Sequence, residues 1–151
     1  MSSLAILILT KNEESNIVDV VRNAKTCTDE VIIIDSGSTD RTVELAEREG
    51  AKVAFLAWDG DFSAQRNFAL SQTEADWVLY VDADERITPT LGAAIRYIVQ
   101  HGALDKQYSI KRKSVAFGVT FNHGVLNPDY VLRMFPRNTV TWVHKVHEHP
   151  E

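Results

Sequence analysis

Four short runs of apolar, mostly β-branched residues recur through the first half of the chain: "LAILIL" at 4–9, "VIII" at 31–34, "VAFL" at 53–56 and "WVLYV" at 77–81. None alternates apolar with polar positions, so each reads as a strand buried on both faces. Between them the spacing turns helical. Ile17, Val20, Val21 and Ala24 fall at i, i+3, i+4 and i+7, behind Asn12 as N-cap and with Glu13 and Glu14 in the first turn, where carboxylates favour a helix. "DRTVELAEREG" predicts a second helix ending at Gly50 as its C′ residue, and "SAQRNFALSQ" a third from Ser63. "PTLGAAIRYIVQHG" predicts a fourth, with Thr88 as cap, Pro89 at the first helical position and Gly102 at the close.

Strands alternating with helices imply βαβ crossovers, hence an α/β fold with a Rossmann-like, mostly parallel sheet flanked by helices. Beyond residue 105 the pattern changes to "QYSIKRKSV", "VTFNHGV", "DYVLRMFPR" and "VTWVH", a second half of shorter, mixed strands. No repeat or linker divides the chain, so residues 1–151 are expected to form a single domain. It reaches "HEHPE" without a closing element, which gives the expectation of a C-terminal truncation.

Composition narrows the classes. With 44% apolar and 25% charged residues the chain has the make-up of a globular protein. A net charge of −5 argues against nucleic acid as a partner, because groove binding draws on clustered Lys and Arg. "KRK" at 111–113 is the one basic cluster and reads as a solvated strand face. Cys27 is the single cysteine, which rules out an internal disulfide or a cysteine-based metal site. The six apolar residues near the N-terminus are too few for a signal-peptide core or a membrane span. The expected location is cytoplasmic, and peripheral membrane attachment is compatible with it.

In an open parallel sheet, ligands bind outside the carboxyl ends of the strands. The four exits read "TKNEE", "DSGSTD", "AWDGD" and "DADE", all polar and all expected along one edge. If Asp82 to Asp84 continues the strand, both carboxylates point the same way and repel unless a cation lies beside them. Oxygen ligands with room for water and phosphate suit Mg2+ or Mn2+. The same pair could instead cap the following loop in water. In "DSGSTD", Gly37 permits a tight turn, Ser38 can cap the next helix, and Asp35 can accept a base N–H. Neither G-x-G-x-x-G nor G-x-x-x-x-G-K-[ST] occurs, which argues against a nicotinamide dehydrogenase or a P-loop enzyme. A D-x-D phosphatase is disfavoured, since its motif sits on the first strand and here it follows the fourth.

Taken in order, "LTKNEESNI", "VIIIDSGSTDRTVELAEREGAKV", "QRNFAL" and "WVLYVDADERI" resemble the nucleotide-binding half of the family 2 glycosyltransferases. "NHGVLNPDYVLRMFPR" followed by "VHEH" is similar to the branch containing bacterial lipopolysaccharide core β-glucosyltransferases. The resemblance implies a GT-A fold and inverting, Mg2+- or Mn2+-dependent transfer of a sugar, glucose by the branch, from a UDP-sugar. The acceptor would be a saccharide or lipid-linked saccharide at the cytoplasmic face of the inner membrane. Residues 1–88 would be the nucleotide-binding half and 89–151 the acceptor side. Thr10 and Glu13 would meet base and ribose, Asp35 the uracil N3–H, and Arg66 the base or diphosphate. Asp82 would meet ribose or metal-bound water, and Asp84 would bind the metal directly. Glu148 would be the general base, with His149 or His147 as a further metal ligand, while His123 and Arg133 would line the acceptor or diphosphate side. Full-length relatives continue past the "VHE" segment, so the alternative is a non-catalytic nucleotide-sugar binding module.

Overall fold

The computed structural model describes residues 2–58, 60–102, 108–116, 119–122, 129–137, 142–143 and 149–150, with side chains at 2–58, 60–102, 108 and 133–137. Along the chain run β1 (Leu4–Thr10), α1 (Glu14–Ala24), β2 (Glu30–Asp35), α2 (Thr42–Arg48), β3 (Lys52–Phe55), α3 (Phe62–Ser71) and β4 (Trp77–Tyr80). They are followed by α4 (Pro89–His101), β5 (Tyr108–Ala116), β6 (Val119–Asn122), β7 (Asp129–Pro136), β8 (Trp142–Val143) and β9 (His149–Pro150). Seven strands form one sheet in the order β3-β2-β1-β4-β7-β5-β6, while β8 and β9 pair separately.

From β3 to β4 every pairing is parallel, with Leu7 opposite both Ile32 and Tyr80. From β4 onward the pairings are antiparallel, beginning with Leu79 opposite Met134 of β7. The two halves of the sequence therefore share one sheet, and β7 lies directly against β4.

Strand alternation divides the apolar runs between two faces. Ile6, Ile8, Ile33, Trp77 and Leu79 pack with Ile17, Val20 and Val21 of α1, Ala46 of α2 and Ile95 of α4. Ala5, Leu7, Ile32, Ile34, Val78 and Tyr80 pack on the other face with Ala69 of α3 and Phe135 of β7. Both faces are covered, which is why these runs are apolar without interruption. β3 departs from the expectation of four buried strands. Among the described residues it is an edge strand paired with β2 alone, and Phe55 is 63% exposed.

Helix ends follow the sequence where a cap is local. Thr88 Oγ1 accepts the Leu91 N–H at 3.1 Å and Pro89 opens α4, while Gly50 follows α2 at φ +86°. The third helix begins one residue before Ser63, because Asp61 is its cap and accepts the Ala64 N–H at 3.0 Å. Asn12 is not the cap of α1. It lies at φ +54°, in the left-handed region that Asn tolerates, and its side chain faces a different loop.

Candidate functional site at the strand exits

Two exits are laced together. Asn12 Oδ1 accepts the Thr39 N–H at 2.8 Å, and the Asn12 N–H reaches Ser38 Oγ at 2.8 Å. The Glu13 N–H donates to Thr42 Oγ1 at 2.9 Å, the Glu14 N–H to Asp40 Oδ2 at 3.2 Å, and the Arg41 N–H to Glu14 Oε1 at 2.8 Å. Donors that helix geometry leaves free in the first turns of α1 and α2 are thus satisfied by the neighbouring loop. Ser38, expected to cap α2, is consumed by this lacing, and Asp40 takes the Thr42 N–H at 3.0 Å instead.

Asp35 ends β2 beneath this lacing and is 3% exposed. One carboxylate oxygen accepts Thr10 Oγ1–H at 2.8 Å and Ser38 Oγ–H at 2.6 Å; the other accepts the Gly37 and Ser38 N–H groups at 3.0 and 2.8 Å. Burial pushes the Asp35 carboxyl upward, but the bonds from Ser38, Thr10 and Gly37 outweigh it and hold the group below the usual carboxylate range. Gly37 supplies the turn at φ +118°, which other residues rarely adopt. The four acceptor positions of Asp35 are used inside the fold, so a direct contact with a base N–H requires one of these bonds to open.

Above this floor lies a cleft of about 190 Å³ lined by Leu9, Thr10, Lys11, Glu13, Ser36, Trp58, Phe62 and Gln65. Trp58 and Phe62, each 41% exposed, form its apolar wall with ring centroids 4.6 Å apart. Buried Gln65 fixes the loop that carries Trp58, donating to Leu56 O at 2.9 Å. A larger open hollow of about 440 Å³ lies at the opposite end of the strands, around Ser3, Glu30 and Thr73, away from all four exits.

The fourth exit is not extended. β4 ends at Tyr80, and Asp82–Glu85 is a turn closed by the Glu85 N–H on Asp82 O at 2.9 Å. The two aspartates therefore do not share a strand face. Asp84 is exposed, and no partner of its carboxylate occurs among the described residues. Asp82 and Glu85 face Arg133 of β7, which is 8% exposed. Its Nη1 lies 3.0 Å from Glu85 Oε1, and its Nη2 lies 3.1 Å from Glu85 Oε2 and 3.3 Å from Asp82 Oδ2. Arg133 thus sits inside the site's frame, not on an open acceptor surface.

Of the residues expected from sequence, Thr10 and Glu13 line the cleft, and Asp35 lies under it. The Arg66 guanidinium stands 5.3 Å from the Tyr80 ring centre, beside the end of β4. Glu148, His147 and His123 lie outside the described residues, as does the side chain of His149, whose backbone is in β9. Among the described residues no three His, Cys, Asp or Glu side chains gather as a ready metal cage. A single unpaired carboxylate still fits Mg2+ or Mn2+, which commonly take one or two carboxylates and complete their shell with water and phosphate. Sequence reasoning passed over Trp58, Phe62, Gln65 and Glu85. Trp58 stood in the polar exit "AWDGD" and Phe62 next to it, where an aromatic residue beside Gly and Asp was the available signal, while Gln65 opens "QRNFAL".

A parallel half-sheet with a cleft over its first two exits and an acidic turn at its fourth defines an α/β domain built to take a ligand at its strand ends. The chain belongs to glycosyl transferase family 2, whose family model matches residues 5–144. An uncharacterised glycosyltransferase of Rickettsia typhi is 42% identical over 113 residues, which is 74% of this chain and 38% of that protein. The chain thus spans well under half the length of such curated relatives. The lipopolysaccharide core biosynthesis glycosyltransferase LpsC of Rhizobium meliloti is 34% identical, over 58% of this chain and 34% of that one. Among solved structures, S. aureus TarS superposes with a TM-score of 0.55 at 31% identity, covering 66% of this chain and 33% of its own. Glucosyl-3-phosphoglycerate synthase of Mycobacterium tuberculosis, crystallised with Mn2+, UDP and glucosyl-3-phosphoglycerate, gives 0.50 at 26%, over 55% and 34%. The fold is GT-A. No helix among the described residues is long and apolar enough to cross a membrane.

Proposed function

We propose that this chain is the donor-binding part of an inverting, metal-dependent glycosyltransferase that moves a sugar from a UDP-sugar to a saccharide or lipid-linked saccharide. The observation that carries the reading is the exposed Asp84 carboxylate, without a partner among the described residues, on a braced turn and on the same sheet edge as the cleft over Thr10 and Asp35. Thr10, Glu13 and the Asp35-shaped turn hold base and ribose, with residues 1–88 as the nucleotide half and 89–151 on the acceptor side. Arg66, beside the end of β4, and Asp82 face the diphosphate and ribose. Asp84 holds Mg2+ or Mn2+, with His149 as a second ligand. The bound cation supplies charge neutralisation for the departing diphosphate. Glu148 takes the proton of the acceptor hydroxyl as it attacks the anomeric carbon. Likeness to the UDP- and Mn2+-bound mycobacterial synthase supports the donor and cation, and likeness to LpsC, named for lipopolysaccharide core biosynthesis, supports a lipopolysaccharide acceptor.

The test measures UDP binding by calorimetry and UDP release from UDP-glucose, each in Mn2+ and in EDTA, for the unmodified chain and Asp84→Ala. Metal-dependent binding that Asp84→Ala removes supports the donor site, and release supports transfer chemistry. Binding without release, even with acceptors supplied, would make the chain a nucleotide-sugar binding module. Absence of binding in both metal and EDTA would overturn the reading.

A further inference from the structure

The acidic turn carries Asp82, Asp84 and Glu85 within four residues, and it is braced from two sides. On the side of α1, Arg86 Nη1 donates to Ala83 O at 2.8 Å and to Glu85 O at 2.7 Å, while its Nη2 reaches Asn16 Oδ1 at 3.3 Å. Asn23 grips the next residue, donating to Ile87 O at 2.9 Å and accepting its N–H at 2.6 Å. On the side of the sheet stands the buried Arg133. Its two parallel bonds to Glu85 form the fork geometry that only a guanidinium offers a carboxylate. Glu85 Oε1 in turn accepts the Asp82 N–H at 2.8 Å, so the same carboxylate fixes the backbone at the start of the turn.

Three carboxylates this close would repel one another, and a turn free to relax would spread them. Arg133 engages two of the three and leaves Asp84 as the one without a partner among the described residues. Resting on the reading that Asp84 binds the cation, we propose that Arg133 and Glu85 are positioning residues. They hold the turn in the shape that presents Asp84 alone to a divalent ion, and they draw Asp82 aside. Neither touches the ion. Glu85 acts through the Asp82 N–H, and Arg133 acts through Glu85 and Asp82. The pairing of β7 with β4 makes this possible, since Met134 lies opposite Leu79 and so brings Arg133 to the end of β4. The cation site within residues 1–88 is thus shaped by a side chain from residues 89–151.

Groups supporting a metal ligand typically alter metal affinity about 10- to 100-fold when removed. The test is a Mn2+ titration of UDP binding by calorimetry on the whole chain, for Glu85→Gln, Arg133→Lys, Arg133→Met and Asp84→Ala, with a thermal melt of each. Glu85→Gln is expected to raise the Mn2+ needed for half-maximal UDP binding about ten-fold, with UDP binding in EDTA unchanged. Arg133→Lys, which keeps charge but not the fork, is expected to fall between the unmodified chain and Arg133→Met. If Glu85→Gln and Arg133→Lys both melt normally and keep the original Mn2+ dependence while Asp84→Ala loses it, the positioning role is overturned and the cation site stands. If Asp84→Ala also keeps that dependence, the cation site itself falls and the positioning role with it.

Discussion

Replacement of Asp35 tests how the floor of the cleft is held. The carboxylate is 3% exposed and accepts four bonds of 2.6 to 3.0 Å, two from hydroxyls and two from backbone N–H groups. In Asp35→Ala the hydroxyls can rotate toward other acceptors, but the Gly37 and Ser38 N–H groups cannot. Each of these two part-buried donors left without a partner costs about 1–3 kcal/mol, so the variant is expected to lose about 2–6 kcal/mol. In a domain of this size that corresponds to a melting point lower by about 4 to 24 °C. Asp35→Asn keeps one oxygen for the two N–H groups and turns its amide toward the hydroxyls, so about 1–2 kcal/mol is expected. The pH profile separates the two effects. Because the folded Asp35 carboxyl titrates below its unfolded value, its contribution is fully present above the ordinary carboxylate range and disappears as pH falls through the folded value. Urea unfolding from neutral to acid pH should therefore show the Asn variant converging on the unmodified chain as the medium becomes acid. An Asp35→Ala midpoint within about 0.5 kcal/mol of the original, the range of an ordinary surface change, would refute the structural role assigned to these four bonds.

Other outcomes follow from single features. Gly37→Ala has room for its Cβ, the nearest atom being Phe55 Cε2 at 3.9 Å, so its cost is the backbone conformation alone, about 1–3 kcal/mol in urea titration. Phe135→Ala empties a fully buried site against Tyr80 and should lose about 3–5 kcal/mol by calorimetry. Trp58 stands half-exposed in the cleft wall whereas Trp77 is fully buried, so UDP should change the fluorescence of the chain and Trp58→Phe should diminish that change. An unaltered signal change in Trp58→Phe would place the nucleotide elsewhere.

The parallel half of the fold was legible because "LAILIL" and "VIII" bury both faces, a condition that leaves a continuous apolar run in one dimension. Thr88 and Pro89 were legible for the same reason: a local cap needs only neighbours. Asn12 was misread because its partner is Thr39, in a loop that comes close only once β1 and β2 are paired. β3 was read as buried because composition does not reveal which strand stands at an edge. At the strand ends, Thr10 and Glu13, which the family resemblance places at the first exit, line the cleft. The Glu85 and Arg133 pair was not legible, since 48 residues separate them and their contact depends on β7 returning antiparallel to β4. The extended reading of Asp82 and Asp84 failed where the turn begins, which the run "WVLYVDADE" does not mark with Gly or Pro.

The docking of β7 also governs how the domain can be cut. With β7 in place β4 is an interior strand, bonded to β1 on one side and to residues 134–136 on the other. A shortened version ending before residue 129 would turn β4 into an open edge, with Trp77, Val78 and Leu79 beside a row of unsatisfied backbone groups. Such an edge invites pairing with another copy of itself. Insolubility of a version trimmed to its nucleotide half would then reflect an unprotected strand, even where every residue of the cleft is retained.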